Sequence, residues 1–292
     1  MKRIAFSRLS IWLLLAAALP VPAQFTPGEV ADRAKWEEFL RKAEIIHEGK
    51  TADGVTKPFR LTLKNGGVEH DACWKNPSGI QGGFLEGWQY EIAAYEMDKL
   101  LGLNMIPPTV EREYKGKRGA LSFWAESKTR LLEMLTNRVQ PPDSALDKLE
   151  KSKYIVRAFD ALIANEDRNQ QNILYTEDWR AIIIDHSRAF RCSKEFIEKL
   201  MTGKDAKGGT PLLFRKLPRD FIEKIKGLTF ENIKQAVGHY LTDAEIEAIL
   251  ARRPLILKEV EEMIKEFGEA YVLYESMAAG PALLTSLSKG PA

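Results

Sequence analysis

Cysteine is nearly absent from this chain: Cys73 and Cys192 are the two in 292 residues. So small a number excludes a disulfide scaffold and leaves room for one bridge at most. Histidine is almost as sparse. His47, His70, His186 and His239 form no i, i+3 or i, i+4 pair, so the spacing of a zinc site is missing. Neither cysteine has a histidine placed to activate it, and no thiol nucleophile is expected. Charge of one sign is not in excess either. With 43 basic and 41 acidic residues the formal charge is +2, which excludes the basic footprint of a nucleic-acid binder. Long apolar runs are lacking as well: residues 11–19 fall short of the roughly 20 residues that span a bilayer. There is no G-x-S-x-G, no G-x-G-x-x-G loop and no internal repeat.

What is present is an ordinary globular composition, 45% hydrophobic and 29% charged. At about 150 residues per domain the length predicts two domains or lobes. The N-terminus reads as an export signal over residues 1–23. Lys2, Arg3 and Arg8 precede the short apolar run, and Val21-Pro22-Ala23 places small residues for cleavage before Gln24. Removing those three positive charges takes the formal charge from +2 to −1. The mature chain is expected outside the cytoplasm, periplasmic or secreted, with no membrane span after cleavage.

Periodicity predicts an amphipathic helix over 29–46. A hairpin follows, with strands at 59–63 and 68–75 joined through Asn65-Gly66. Residues 76–79 break the strand, and a helix over 87–101 closes on Gly102. A second hairpin, 106–112 with 120–124, turns through 115–119. Beyond it the pattern is helical, over 128–138, 144–165, 193–202, 219–226, 229–240 and 243–267. Ser144-x-x-Asp147 and Thr242-x-x-Glu245 read as capping boxes. One short hairpin over 172–185 interrupts the helices, and the Ala-, Gly- and Pro-rich residues 276–292 read as a disordered tail. Strands followed by helices give α+β, a β-rich lobe over 24–126 and a helical lobe over 127–275.

Two constellations carry chemistry. In the first, an apolar helix runs into the polar loop Asn165-Glu166-Asp167-Arg168-Asn169-Gln170-Gln171-Asn172. A strand leaves from Asn172, and the return strand ends on Asp185. Hairpin pairing puts Asn172 and Asp185 at the same open end, where two hard oxygen ligands suit Mg²⁺ or Mn²⁺ on a phosphate. Asp167 lies one short loop away, free to orient a hydroxyl and accept its proton. In the second, Asp71, Cys73 and Lys75 share a strand face. Glu91 falls in the apolar stripe of its helix beside Trp88, Ile92 and Tyr95, so it faces inward and needs a partner. Lys75 is the nearest by topology. Taken singly these are ordinary surface, turn and helix residues. Their order along the chain is what combines them.

That order, with Tyr90-Glu-Ile-Ala-Ala-Tyr-Glu-Met-Asp-Lys-Leu-Leu-Gly-Leu103, Ile106-Pro-Pro-Thr-Val110, Asp160-Ala-Leu-Ile-Ala-Asn-Glu-Asp-Arg168 and Ile184-Asp-His-Ser-Arg-Ala-Phe190, resembles the atypical protein-kinase-like families. It is most similar to the secretory-pathway kinases of the Golgi casein kinase and four-jointed type, and more distantly to HipA and the phosphatidylinositol 3-/4-kinases. The likeness covers about 50–190. It implies a two-lobed protein-kinase-like fold, a β-rich N-lobe with one key helix and a mostly helical C-lobe. It implies ATP as phosphoryl donor, Lys75 on the nucleotide phosphates, Glu91 holding Lys75, Asp167 as catalytic residue and Asn172 with Asp185 as metal ligands. Leu121 to Trp124 would approach the hinge that meets adenine. The acceptor would be a hydroxyl on a protein, glycan or lipid head group.

Two departures stand out. Asp185-His186-Ser187 lacks the glycine of a D-x-G pattern, and only Gly49, Gly54 and the Gly82-Gly83 pair are candidates for a phosphate cradle. A kinase-like module that binds nucleotide or a partner without catalysis, nucleotidyl transfer from the same site, and a metal-dependent phosphoesterase using Asp167 and Asp185 therefore stay open. The acceptor and the oligomeric state are not readable at this level.

Overall fold

A computed structural model describes residues 26–50, 58–202 and 214–275. The expected leader, Gly54 and the expected tail lie outside them. Along the chain run α1 (Pro27–Ala31), α2 (Arg33–Lys42), β1 (Glu44–Lys50), β2 (Phe59–Asn65), β3 (Val68–Lys75), β4 (Ser78–Gln81), β5 (Phe84–Gly87), α3 (Gln89–Leu101), β6 (Thr109–Tyr114) and β7 (Lys117–Phe123). Then come β8 (Thr129–Arg130), α4 (Leu131–Leu135), a 3₁₀ turn (Asp143–Ala145), α5 (Leu146–Ile163), β9 (Ile173–Tyr175), β10 (Ala181–Ile183) and α6 (Lys194–Glu198). The chain continues through β11 (Leu217–Pro218), α7 (Arg219–Lys226), α8 (Phe230–Val237), α9 (Asp243–Phe267), α10 (Glu269–Val272) and β12 (Leu273–Tyr274).

Five strands form an antiparallel sheet in the order β1-β2-β3-β7-β6. Alternation decides its two faces. Leu61, Leu63, Ala72, Trp74, Val110 and Leu121 point to one side and pack on Phe39, Leu40 and Ala43 at the end of α2. Asp71, Cys73 and Lys75 are left on the other. Gly119 is required where β7 crosses the end of β3. A Cβ there would stand 2.5 Å from the Lys75 carbonyl oxygen, closer than side chains approach.

The larger core lies among α5, α7, α8 and α9, and α3 is part of it. Tyr95, Met97 and Leu101 are buried with Phe159, Leu162, Phe221, Ile246 and Ile249. The helix that carries Glu91 is therefore anchored in the helical lobe while its first turn faces the sheet. Each such side chain contributes roughly 1.5–3 kcal/mol by leaving water. Among the described residues no helix is long and apolar enough to cross a membrane.

Most expected elements form. Gly102 closes α3 at φ 65°, and the Thr242 capping box is reciprocal: Glu245 N–H donates to Thr242 Oγ1 at 3.3 Å and Thr242 N–H donates to Glu245 Oε2 at 2.7 Å. Four expectations need correction. The helix expected over 29–46 ends at Lys42, and residues 44–50 are β1, because pairing with β2 outweighs the helical spacing of Ile45 and Ile46. The helix expected over 128–138 shortens to α4 behind the two-residue β8. Ser144 caps nothing; a 3₁₀ turn leads into α5 instead. The helix expected over 193–202 stops at Glu198, and the break at 76–79, which does end β3 at Lys75, leads into an unexpected β4–β5 hairpin. Gly82 and Gly83, both at positive φ (57° and 89°), make its two-residue turn.

Candidate active site

Lys75 ends β3 on the face opposite the sheet core. Its ammonium lies 3.1 Å from Glu91 Oε1 and 2.8 Å from Asp185 Oδ1. Burial works against its charge, but Asp185 and Glu91 outweigh it and raise the Lys75 pKa well above its ordinary value. Glu91, in the first turn of α3, is 5% exposed. Burial pushes its carboxyl up; Lys75 first and His186 next overcome that and hold it well below the carboxylate range. The ion pair expected from an inward carboxylate is present, and Asp185 joins it.

The other oxygen of Glu91 fixes the segment after Asp185: His186 N–H donates to Oε2 at 3.0 Å. The His186 ring is fully buried, and burial, then Arg168, lowers its pKa. Arg168 Nη2 lies 2.7 Å from His186 Nε2. An arginine only donates, so Nε2 accepts, and the ring is neutral with its proton on Nδ1.

Arg168 is the residue that sequence reasoning missed. Its Nε and Nη2 grip buried Asp160 at 2.9 and 3.0 Å, and its Nη1 donates to the carbonyls of Asn172 (3.2 Å) and Ile184 (2.6 Å). One guanidinium thus ties the end of α5 to both strands of the β9–β10 hairpin just before its open end. Nothing in an Asp-Arg dipeptide on a polar loop signals burial. Only the apolar helix before it, with Asp160 inside, hints that a cation is needed.

The register places the rest. Ile173 pairs with Ile183, and Ile184 N–H donates to Asn172 O at 3.1 Å, so Asn172 and Asp185 do meet at one hairpin end. Asp185 is left-handed at φ 64°, a conformation aspartate tolerates better than bulkier residues. Asn172 turns its amide N–H toward Asp167 O at 3.5 Å, leaving Oδ1 for a cation. Asp167 follows one loop away, its side chain 37% exposed, with Arg188 at 3.4 Å. Burial, Asp185 and Glu86 raise its pKa while Arg188 opposes.

A group of three or more His, Cys, Asp or Glu side chains able to cage a metal is absent among the described residues. The donor set still suits a hard cation. Mg²⁺ keeps several waters and takes only one or two protein oxygens beside substrate phosphates, and Asn172 with Asp185 offers that.

Nearby, Trp124 N–H donates to Asp71 O at 3.1 Å, and Arg60 lies 4.4 Å over the Trp124 ring. Leu121 is in the sheet core. Gly49 pairs with Arg60 within the sheet. Cys73, beside Lys75, and Cys192 are both free, and burial pushes the Cys73 thiol up to about 11. A separate cavity of about 910 Å³ is lined by Leu131, Met134, Leu149 and Arg168 among others. Lys75 and Asp185 are not in it.

No family model matches the sequence, and no curated protein does. Solved structures do match. The hydra Fam20 structure with sugar aligns at TM-score 0.60 and 16% identity, over 87% of this chain and 95% of that one. Two structures of the Golgi casein kinase each align at TM-score 0.58 and 15% identity. They cover 84% and 87% of this chain, and 79% and 81% of theirs. The second has Mn/ADP bound. The chain therefore has the two-lobed, protein-kinase-like α+β fold of these proteins, the fold its sequence resemblance implies.

Proposed function

We propose that this protein is an exported ATP-dependent phosphotransferase acting on a hydroxyl acceptor. The observation that carries the reading is the placement of Lys75 between Glu91 and Asp185, at 3.1 and 2.8 Å. A lysine so braced presents its charge to nucleotide phosphates, and an aspartate beside it is in place for their metal. The Mn/ADP bound in a Golgi casein kinase of the same fold supports nucleotide and divalent cation here.

In this reading Lys75 orients the phosphates and Glu91 keeps Lys75 from swinging away. Asn172 Oδ1 and Asp185 hold Mg²⁺ or Mn²⁺, which when bound neutralises charge on the phosphate oxygens. Asp167 accepts the hydroxyl proton as the acceptor oxygen bonds to the γ-phosphorus and the bond to the ADP oxygen breaks. We read the lobes as 24–126 and 127–275, with 1–23 removed on export.

The test is thermal unfolding of residues 24–292 with ATP and Mg²⁺ or Mn²⁺, followed by product mass spectrometry. A metal-dependent shift and products heavier by one phosphoryl group are expected. No shift at millimolar ATP would leave a partner-binding module. Products heavier by a nucleotide would make the enzyme a nucleotidyl transferase, and release of phosphate from an ester without ATP would make it a phosphoesterase.

A further inference from the structure

Arg188, three residues beyond Asp185, has no part in that scheme, yet its guanidinium is held as firmly as any in the site. Its Nε and Nη2 both donate to Glu86 Oε1, at 3.0 and 2.8 Å. Its carbon lies 4.4 Å over the Phe84 ring. Glu86 is 3% exposed and also accepts from Ser187 Oγ at 3.2 Å. Gly87 N–H donates to Ser187 O at 2.9 Å, and Arg191 donates to Leu85 O. The β4–β5 hairpin is thus bonded along the segment that follows Asp185.

A planar fork pinned at two nitrogens has little choice about where the third points. Arg188 Nη1 points at Asp167, 3.4 Å from Oδ2. Among the described residues it is the one cation in contact with that carboxylate. Its charge faces Glu86 on one side and Asp167 on the other, so it is matched within the protein rather than offered to an anionic acceptor.

We propose that Arg188 is the positioning residue of Asp167 and that the β4–β5 hairpin, through Glu86, is its mount. This rests on the phosphotransferase reading above. Asp167 sits on a polar loop, and a carboxylate that rotates about its side chain no longer meets the hydroxyl it must orient. The ion contact removes that freedom, which ties the base of the helical lobe to a hairpin inserted between Lys75 and Glu91.

The experiment measures ATP turnover to ADP with Mn²⁺, water serving as acceptor, for the wild type and for Arg188→Met, Arg188→Lys, Glu86→Gln, Asp167→Asn and Asp167→Asn/Arg188→Met. Arg188→Met is expected to lose about 10²-fold in kcat, the usual cost of a misplaced catalytic group, with KM for ATP unchanged. Arg188→Lys should recover part, Glu86→Gln should fall in the same direction, and the double variant should be no slower than Asp167→Asn alone. An unchanged kcat in Arg188→Met, a parallel loss of nucleotide affinity, or losses that multiply in the double variant would overturn the proposal. Should Arg188→Met fail to fold, Glu86→Gln decides: reduced kcat at constant KM supports it and wild-type kcat refutes it. A wild type that neither binds nor turns over ATP overturns the phosphotransferase reading and this proposal with it. An active wild type with an indifferent Arg188→Met overturns this proposal alone.

Discussion

Lys75 and Asp185 lie 110 residues apart in the chain and 2.8 Å apart in the fold. The contact joins the last residue of a sheet strand to the second residue after a hairpin in the helical lobe. Glu91 closes it into a triangle, taking Lys75 on one oxygen and the His186 N–H on the other. Any change that moves one lobe against the other is felt at this triangle.

Asp185→Ala should therefore abolish metal-dependent nucleotide binding, whereas Asp167→Ala should keep it. A ligand at 100 times its Kd raises stability by about 2.7 kcal/mol, so thermal unfolding with ATP and Mn²⁺ distinguishes the two. Asp167→Ala should retain the shift and lose about 10²–10⁴-fold in turnover. If both variants keep full activity, the site is misassigned.

Arg168→Met should destabilise the whole protein rather than the site alone. It leaves Asp160 buried without its partner, a change that costs about 3–5 kcal/mol when a buried pair is broken. Adding Asp160→Asn should restore part of the loss, because the uncompensated charge is then gone. Urea unfolding of both variants checks this; a wild-type midpoint for Arg168→Met would mean the network carries no stability.

Asp98, on α3, is fully buried, and burial pushes its pKa up to about 7 despite bonds such as Met105 N–H to Oδ1 at 2.9 Å. Arg33 lies no nearer than 3.9 Å to Oδ2. A carboxyl whose folded pKa is raised contributes stability below its unfolded pKa and loses it as pH rises toward 7. The wild type should then lose stability between pH 4 and 7 relative to Asp98→Asn, which keeps the Oδ1 acceptor without the charge. Urea midpoints at pH 5 and 8 test the sign, and parallel pH dependence in the two proteins would refute it.

The two cysteines should titrate as two thiols under non-reducing conditions. Cys192 is exposed and should react with a disulfide reagent at once, while half-buried Cys73, its thiol pushed up to about 11, should react more slowly. A count of zero thiols in the unfolded, unreduced chain would establish a bridge instead.

Much of the fold was legible before any coordinates. The Asn65-Gly66 turn, Gly102 after α3 and the alternation of β3 each follow from local chemistry that leaves little choice. The same holds for Glu91, since a carboxylate in an apolar stripe must find a cation. Residues 44–50 were not legible, because Ile45 and Ile46 satisfy a helical stripe as well as a strand, and only pairing with β2 separates the two. The β4–β5 hairpin was missed because its strands have four residues each and the side chain they bury is the polar Glu86, so no apolar alternation marks them.

What the sequence by itself determined is the set of ionisable residues and the order in which they come. Strand lysine, helix glutamate, loop aspartate and hairpin asparagine and aspartate follow from periodicity and turn residues acting over a few positions. What only the tertiary structure decided is which charges are buried together. Arg168 became a linchpin and Arg188 a clamp because a guanidinium's role depends on which carbonyls and carboxylates surround it. Those neighbours, Asp160, Ile184 and Asp167 from the helical lobe itself and Glu86 from the other, are brought in by tertiary packing, a relation that spacing along the chain does not encode.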